Sequence, residues 1–429
     1  MCKMFKVEIS NTDKKSLRFL FDLAVPPEAQ DTPEFSDFFA GIASIPGVEM
    51  DRHKGELFGF TTPLDGWLAM IEKKMPFEDV EFQRDFFSKL PSRAVSGQKD
   101  ELQINFHQQS FDTPGRYWAF VLNQGHFPSY FLNRLYWYLA PKNEIVTSFP
   151  LHVDVETANT CNMKCPMCYR HMLKEVGQME MPVFQKIIDE CAANNVFSVR
   201  LSWRGEPLTH PRIKEMIAYA AARIKNVSFL TNAFYIDDEV MDCLIENRLS
   251  YLAVSFDGIG EIYEAVRAPA KFKENYKRLQ KLLGKRKEAG SRLPQVRVCT
   301  VWPAIRENPE AYARTMEKVS DYMVKNPYIN FAGPMTIKPD FICQYPWERI
   351  VVAFNGKAQC CTGWNADDII LGNVMDKSVK EMWLSPRMDR IRELHAQGGR
   401  MRLSSCSKCR HGAKGDPDIE IHEIINRGY

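Results

Sequence analysis

The chain has 429 residues, 45% hydrophobic and 26% charged, and its 56 basic and 54 acidic side chains leave a formal net charge of +2. That composition belongs to a folded chain long enough for two or three domains and excludes one dominated by disorder. The near balance of charge leaves no field to draw the protein onto nucleic acid or an anionic membrane, and no segment offers about 18 uninterrupted apolar residues, so neither partner is expected. The opening MCKMFKVEIS has no apolar run with a small-residue cleavage site, and a cytoplasmic location is expected. Twelve cysteines, clustered at 161–168 and 343–409, then favour metal binding over disulfides that a reducing compartment would not maintain.

Residues 1–147 read as an α+β region without a chemical motif. Within it 48–60 resembles a hairpin, Pro-Leu-Asp-Gly-Trp-Leu at 63–68 a turn or helix start, 92–101 a polar break, and 117–138 is rich in aromatic residues. From 148 to 335 β-rich runs alternate with amphipathic segments. The strands are expected at 151–156, 197–203, 227–230, 251–256, 296–301 and 328–332, and the helices at 182–194, 211–223, 237–248, 272–289 and 308–325. Val183, Ile187, Ile188 and Cys191 share one helix face, as do Ile213, Met216, Ile217 and Ala220. The fold class is α/β: six such units suit an open (β/α)6 partial TIM barrel, with active residues at the C-terminal ends of its strands. Residues 336–429 form a small cysteine-rich third segment.

The first strand is followed by Cys161-Asn-Met-Lys-Cys165-Pro-Met-Cys168. A C-x3-C-x2-C spacing can ligate three irons of a [4Fe-4S] cube and leave the fourth open to the amine and carboxylate of a small molecule. Structural zinc is the other reading of the triplet. It usually takes four ligands in two separated pairs, and the nearest candidate for a fourth here is His171. The second strand ends in Leu201-Ser-Trp-Arg-Gly205-Glu206-Pro207, where Gly205 allows close backbone approach and Glu206 can accept hydrogen bonds from an ammonium group. A plain Gly-Pro turn accounts for the same residues.

Taken together, order and spacing over roughly residues 150–335 resemble the radical S-adenosylmethionine enzymes. Their signature is a C-x3-C-x2-C loop after the first strand of a (β/α)6 partial barrel, with a Gly-Gly-Glu-like motif ending the second. Here Arg204 replaces the first glycine of that motif, and Met167 stands where an aromatic residue often precedes the third cysteine, with Tyr169 just after it. The resemblance implies that Cys161, Cys165 and Cys168 hold a [4Fe-4S] cluster. It further implies that Gly205, Glu206, Pro207, Asn232, Ser255, Asp257 and Tyr169 contact S-adenosyl-L-methionine; Arg267 reads as pairing with a carboxylate or as a surface salt bridge. In such enzymes an electron delivered by reduced flavodoxin or ferredoxin cleaves the sulfonium, and the 5′-deoxyadenosyl radical abstracts a substrate hydrogen.

The C-terminal segment carries Cys343, then Gly356 and Cys361 in a C-x12-G-x4-C spacing, Leu371-Gly-Asn-Val, Glu381-Met-Trp and Cys406-Ser-Lys-Cys409. This resembles a SPASM domain or its shorter twitch form. No cysteine follows Cys409, so the resemblance implies one auxiliary [4Fe-4S] cluster on Cys343, Cys361, Cys406 and Cys409, making two clusters in all. Four thiolates suit zinc equally well, and Cys360 beside Cys361 is a rival ligand. Cys191 and Cys243 read as packing residues; Cys299, on the fifth strand, reads as packing or as a hydrogen-atom donor facing the barrel interior. The expected activity is oxidation or epimerisation of a carbohydrate-like small molecule. The alternatives are a peptide-modifying maturase, for which residues 1–145 give no convincing winged-helix fit, and a zinc-stabilised binding protein without catalysis.

Overall fold

The computed structural model describes residues 5–9, 15–75, 79–90, 109–329, 341–363, 367–409 and 419–426. Cys2, the stretch 92–101 and residues 330–332 lie outside them. The described residues through Leu90 form one compact unit with Thr113–Thr147, and those of 109–112 form a second with the described residues from Ser148 on.

In the first unit β1 (Phe5–Ile9), β2 (Ser16–Val25), β3 (Glu49–His53) and β4 (Glu56–Pro63) make an antiparallel sheet in the order β1-β2-β4-β3. The expected hairpin at 48–60 is the β3–β4 pair. Its two-residue turn, Lys54-Gly55, has positive φ at both positions, the geometry that matches strand twist. The helix Leu64–Lys74 begins inside the expected turn. The core is aromatic: Phe19 of β2 lies 4.6 Å from Phe60, 4.8 Å from Trp67 and 5.8 Å from Phe131, ring centre to ring centre.

The second unit holds β5 (Gln109–Ser110), β6 (His152–Val155), β7 (Ser198–Arg200), β8 (Asn226–Thr231), β9 (Tyr251–Ser255), β10 (Gln295–Val301), β11 (Tyr322–Asn326), β12 (Arg349–Val352), β13 (Lys357–Gln359) and β14 (Ile370–Asn373). Strands β6 to β11 run parallel and adjacent in chain order, with helices between them, as a (β/α)6 partial barrel. Five expected strands are found within a few residues of their places. The sixth is displaced: the helix expected over 308–325 spans only Pro309–Met316, and Tyr322–Asn326 is the strand. Tyr322, Met323 and Val324 are buried β-formers, and Pro327 has no N–H for the next rung of the ladder, so the strand cannot run on to Tyr328.

The C-terminal segment enters the barrel sheet itself, which its cysteines do not announce. Ile350 and Val352 of β12 pair in parallel with Val153 and Val155 of β6, and β13 and β14 continue outward as antiparallel strands. At the other edge β5 pairs antiparallel with β11, so both edges of the parallel sheet are covered.

Along the strands the two faces differ. Val153, Val199, Val227, Phe229, Leu252, Val254, Val296 and Val298 share one apolar core with Phe184, Ile187, Met216 and Leu279 of the covering helices. The alternate residues are polar: His152, Asp154, Ser198, Asn226 and Ser228 are buried among them. Asp154 takes Arg200 Nε at 2.7 Å and Arg349 Nη1 at 3.0 Å. Burial opposes its charge, but these two guanidiniums hold the carboxyl well below the usual carboxylate range. Among the described residues no helix is long and apolar enough to cross a membrane.

Candidate active site

A cavity of about 650 Å³ lies at the C-terminal ends of β6 to β9. The loop after β6 contributes Cys161, Cys165, Met167, Cys168 and Tyr169 to its lining; the segment after β7 contributes Trp203, Arg204, Gly205 and Glu206. Thr231, Asn232, Ser255 and Arg267 complete the wall. Residues separated by more than a hundred positions are thereby brought to one space.

Local geometry explains the Gly-Glu pair. Gly205 has φ +92°, and a Cβ there would lie 2.5 Å from the backbone carbonyl carbon of Asn159, so only glycine lets the second strand's end pass so close to the cysteine loop. The next residue, Glu206, is buried: Oε1 accepts from Thr231 Oγ1 at 2.7 Å and from the Leu208 N–H at 3.2 Å, while Oε2 accepts from the Asn232 N–H at 2.6 Å. Burial pushes the carboxyl up to about 7 against the pull of these bonds. A buried acid in that condition, at the wall of a cavity, is suited to an incoming cation.

Arg204, in place of the usual glycine, is accounted for by Glu156 just beyond the end of β6. Its Nε and Nη2 meet Glu156 Oε1 and Oε2 at 2.6 and 2.7 Å, a bidentate pair whose carboxylate is fully buried. Glu156 Oε2 also accepts from the Phe354 N–H at 3.2 Å, in the turn after β12. The guanidinium lies 3.7 Å over the Trp203 ring, and Trp203 Nε1 donates to the Thr362 carbonyl at 2.9 Å. The second strand's end is therefore bonded to the segment carrying Cys361. Sequence reasoning missed Glu156 and Trp203; the one signal was an arginine where the pattern has a small residue.

Among the thiols, Cys161 Sγ accepts from the Met163 N–H at 3.4 Å, with Asn232 Nδ2 at 3.9 Å. Burial pushes the Cys165 thiol up to about 11, opposed by Arg267, whose Nη1 lies 3.6 Å from the sulfur. Arg267 is paired with Asp257: Nε meets Oδ2 at 2.6 Å, while Oδ1 accepts from the Val301 N–H at 2.7 Å. Two expected contacts and the candidate hydrogen donor fall outside the lining. Asp257 is turned to Arg267 and the backbone, Pro207 opens a short 3-10 turn behind Glu206, and Cys299 sits buried on β10 opposite Ser255.

The second thiol group gathers Cys343, Cys361, Cys406 and Cys409. Burial raises the Cys343 thiol far above its ordinary value, and the neighbouring Cys361, Cys409 and Cys406 add to the shift. The Cys361 and Cys406 thiols are raised as well, Cys361 first by its hydrogen bond with Cys360 and Cys406 by burial, and with Cys409 beside them the group is a donor set suited to a cationic centre that would compensate the charge. Among the described residues no three His, Cys, Asp or Glu side chains are drawn together closely enough for a single metal ion; a cluster distributes its thiolates over several irons. Cys360 is packed in the apolar core and hydrogen-bonded to Cys361, which itself accepts from the Gly363 N–H at 3.2 Å. Gly356, the glycine of the spacing, has φ +79° in the turn between β12 and β13, and a Cβ there would meet Asn373 Oδ1 at 2.7 Å.

A parallel partial barrel with a cysteine triplet at its strand ends, and a thiol quartet beside its edge strands, is the plan of an iron–sulfur enzyme. The sequence model of the radical SAM superfamily matches residues 155–319, and that of the SPASM iron-sulfur cluster-binding domain matches 343–410. These matches place a radical SAM domain and a C-terminal SPASM domain in the chain; its cofactors are [4Fe-4S] clusters and S-adenosyl-L-methionine.

Among its relatives is the antilisterial bacteriocin subtilosin biosynthesis protein AlbA of Bacillus subtilis (strain 168), 28% identical over 137 residues, 30% of each chain. Another is the PqqA peptide cyclase of Granulibacter bethesdensis, 26% identical over 112 residues, 26% of this chain and 30% of the relative. The chain thus matches under a third of either relative's length. The solved structure of BtrN in complex with AdoMet and 2-DOIA superposes with a TM-score of 0.45 at 18% identity, covering 60% of this chain and 92% of that one.

Proposed function

We propose that this radical S-adenosylmethionine enzyme modifies a peptide. What supports the substrate class is the naming of two relatives, a bacteriocin biosynthesis protein and a peptide cyclase. The carbohydrate-like small molecule expected from the sequence is the weaker reading beside them. When bound, the cluster and S-adenosylmethionine supply an electron and a 5′-deoxyadenosyl radical.

The chain's own part is to bind and orient. Cys161, Cys165 and Cys168 hold the first cluster, and Glu206 receives the cofactor's ammonium. Asn232 and Ser255 offer polar contacts, and Tyr169 and Met167 form the wall on the cysteine-loop side. Cys343, Cys361, Cys406 and Cys409 hold the auxiliary cluster. Residues 1–147, 148–335 and 336–429 act as an N-terminal domain, a radical core and an auxiliary-cluster domain, and a reduced flavodoxin or ferredoxin donates the electron. The observation that carries this reading is the one cavity in which the three thiols of the loop, the buried carboxyl of Glu206, and Asn232 and Ser255 all meet.

The substrate class is tested by hydrogen transfer. The anaerobically reconstituted protein is given dithionite, S-adenosylmethionine and either a perdeuterated peptide fraction or perdeuterated sugars and cyclitols, and the mass of the 5′-deoxyadenosine is read. Deuterium from the peptides is expected; deuterium from the carbohydrate fraction alone would overturn the proposal and restore the small-molecule reading.

A further inference from the structure

The auxiliary thiol group has a neighbour to which the proposed function gives no role. His395 stands in the last turn of the helix Pro386–Ala396, buried to 2% exposure, with Nε2 3.5 Å from Cys406 Sγ. Its other ring nitrogen, Nδ1, is buried and finds no hydrogen-bond partner among the described residues.

That asymmetry decides where the proton sits. A neutral imidazole protonated on Nδ1 would bury an N–H with no acceptor and turn the Nε2 lone pair onto sulfur. Protonation on Nε2 leaves only an unused acceptor, the less costly arrangement. An imidazolium would carry a proton on Nε2 as well, so in either state an N–H faces Cys406.

The ring is held in that position. Met388, Ile391 and Leu394 anchor the helix in the apolar core, and Arg392 one turn earlier donates to the Pro346 carbonyl at 3.0 Å and the Trp383 carbonyl at 2.9 Å. Arg400 donates to the carbonyl of Cys406 at 2.9 Å, so the cysteine is fixed as well as the ring.

We propose that His395 is a positioning residue of the auxiliary centre, donating a hydrogen bond from Nε2 to the Cys406 thiolate and so raising the reduction potential of the cluster. The physical ground is that an N–H directed at a ligand sulfur stabilises the more negative, reduced state of the centre. The inference rests on Cys343, Cys361, Cys406 and Cys409 being the ligands. It assigns the centre a tuned redox role, where a merely structural cluster would need no such donor.

The test isolates this cluster in the full chain carrying Cys161→Ala, Cys165→Ala and Cys168→Ala. Its midpoint potential is read by anaerobic titration with EPR detection, beside the same chain with His395→Leu and with His395→Gln. A lower potential for the leucine variant and recovery toward the parent value for glutamine, which retains an N–H, are expected. An unchanged potential in the leucine variant, or an equal fall in both, would overturn the inference. If the parent of this series contains no iron, the ligand assignment has failed instead, and the inference with it. A measurement without substitution at position 395 covers poor folding of the variants: 15N-histidine labelling should give a weak nitrogen hyperfine coupling on the reduced cluster, and its absence would equally overturn the inference.

Discussion

Glu206 and Gly205 set the geometry of the cavity wall one residue apart, and each makes a measurable claim. The folded-state pKa of Glu206, about 7, stands above its ordinary 4.5, so the native state holds this proton more tightly than the unfolded chain does. The linked loss of stability is absent at pH below the ordinary value, grows as pH rises toward 7 and is complete above it. Glu206→Gln has no such proton to lose. Between about pH 5 and about pH 8 the wild type should therefore lose up to about 3 kcal/mol relative to this variant, read by urea unfolding of the cluster-free proteins. A pH-independent difference between the two would contradict the buried-acid account. At Gly205 an added methyl meets backbone in a conformation that L side chains rarely adopt, and Gly205→Ala should cost on the order of 2–4 kcal/mol. Stability within about 0.5 kcal/mol of wild type, the range of neutral surface changes, would show that the loop can move aside.

At the scale of elements, Arg204 and Trp203 tie the end of the second strand to the first strand and to the auxiliary segment. Restoring the family's glycine is consequently not neutral. Arg204→Gly leaves the Glu156 carboxylate buried with its bidentate partner gone, which should cost about 3–5 kcal/mol, and adding Glu156→Gln should recover much of the loss. A single variant as stable as wild type in denaturant unfolding would mean that the pair does not secure this corner. The same scale shows what the amino-acid order conveyed. Cys161, Cys165, Cys168, Gly205 and Glu206 were legible because each motif is local and its backbone demand is severe. Glu156 with Arg204, Trp203 with Thr362 and Asp257 with Arg267 were not, since a pairing across strands leaves no mark in either segment alone. Strand β11 was misplaced because a helical pattern runs close up to it, and β12 was not expected because a four-residue buried strand among cysteines carries too short a period to recognise.

Over the whole molecule, one mixed sheet runs between two separate thiol groups. The triplet faces the cavity at the strand ends, and the quartet lies beside the strands that extend the sheet at its edge. Removal of one group should therefore spare the other. The reconstituted wild type should hold about eight irons per chain, Cys406→Ala should retain cleavage of S-adenosylmethionine, and a chain lacking the triplet should retain about four irons. The most direct test of the central claim is 5′-deoxyadenosine formation with dithionite under anaerobic conditions, in wild type and in the Cys161→Ala, Cys165→Ala, Cys168→Ala chain. Steady formation by the brown wild-type protein and none by the triplet variant are expected. A colourless wild type containing only zinc, or equal formation by both chains, would contradict it.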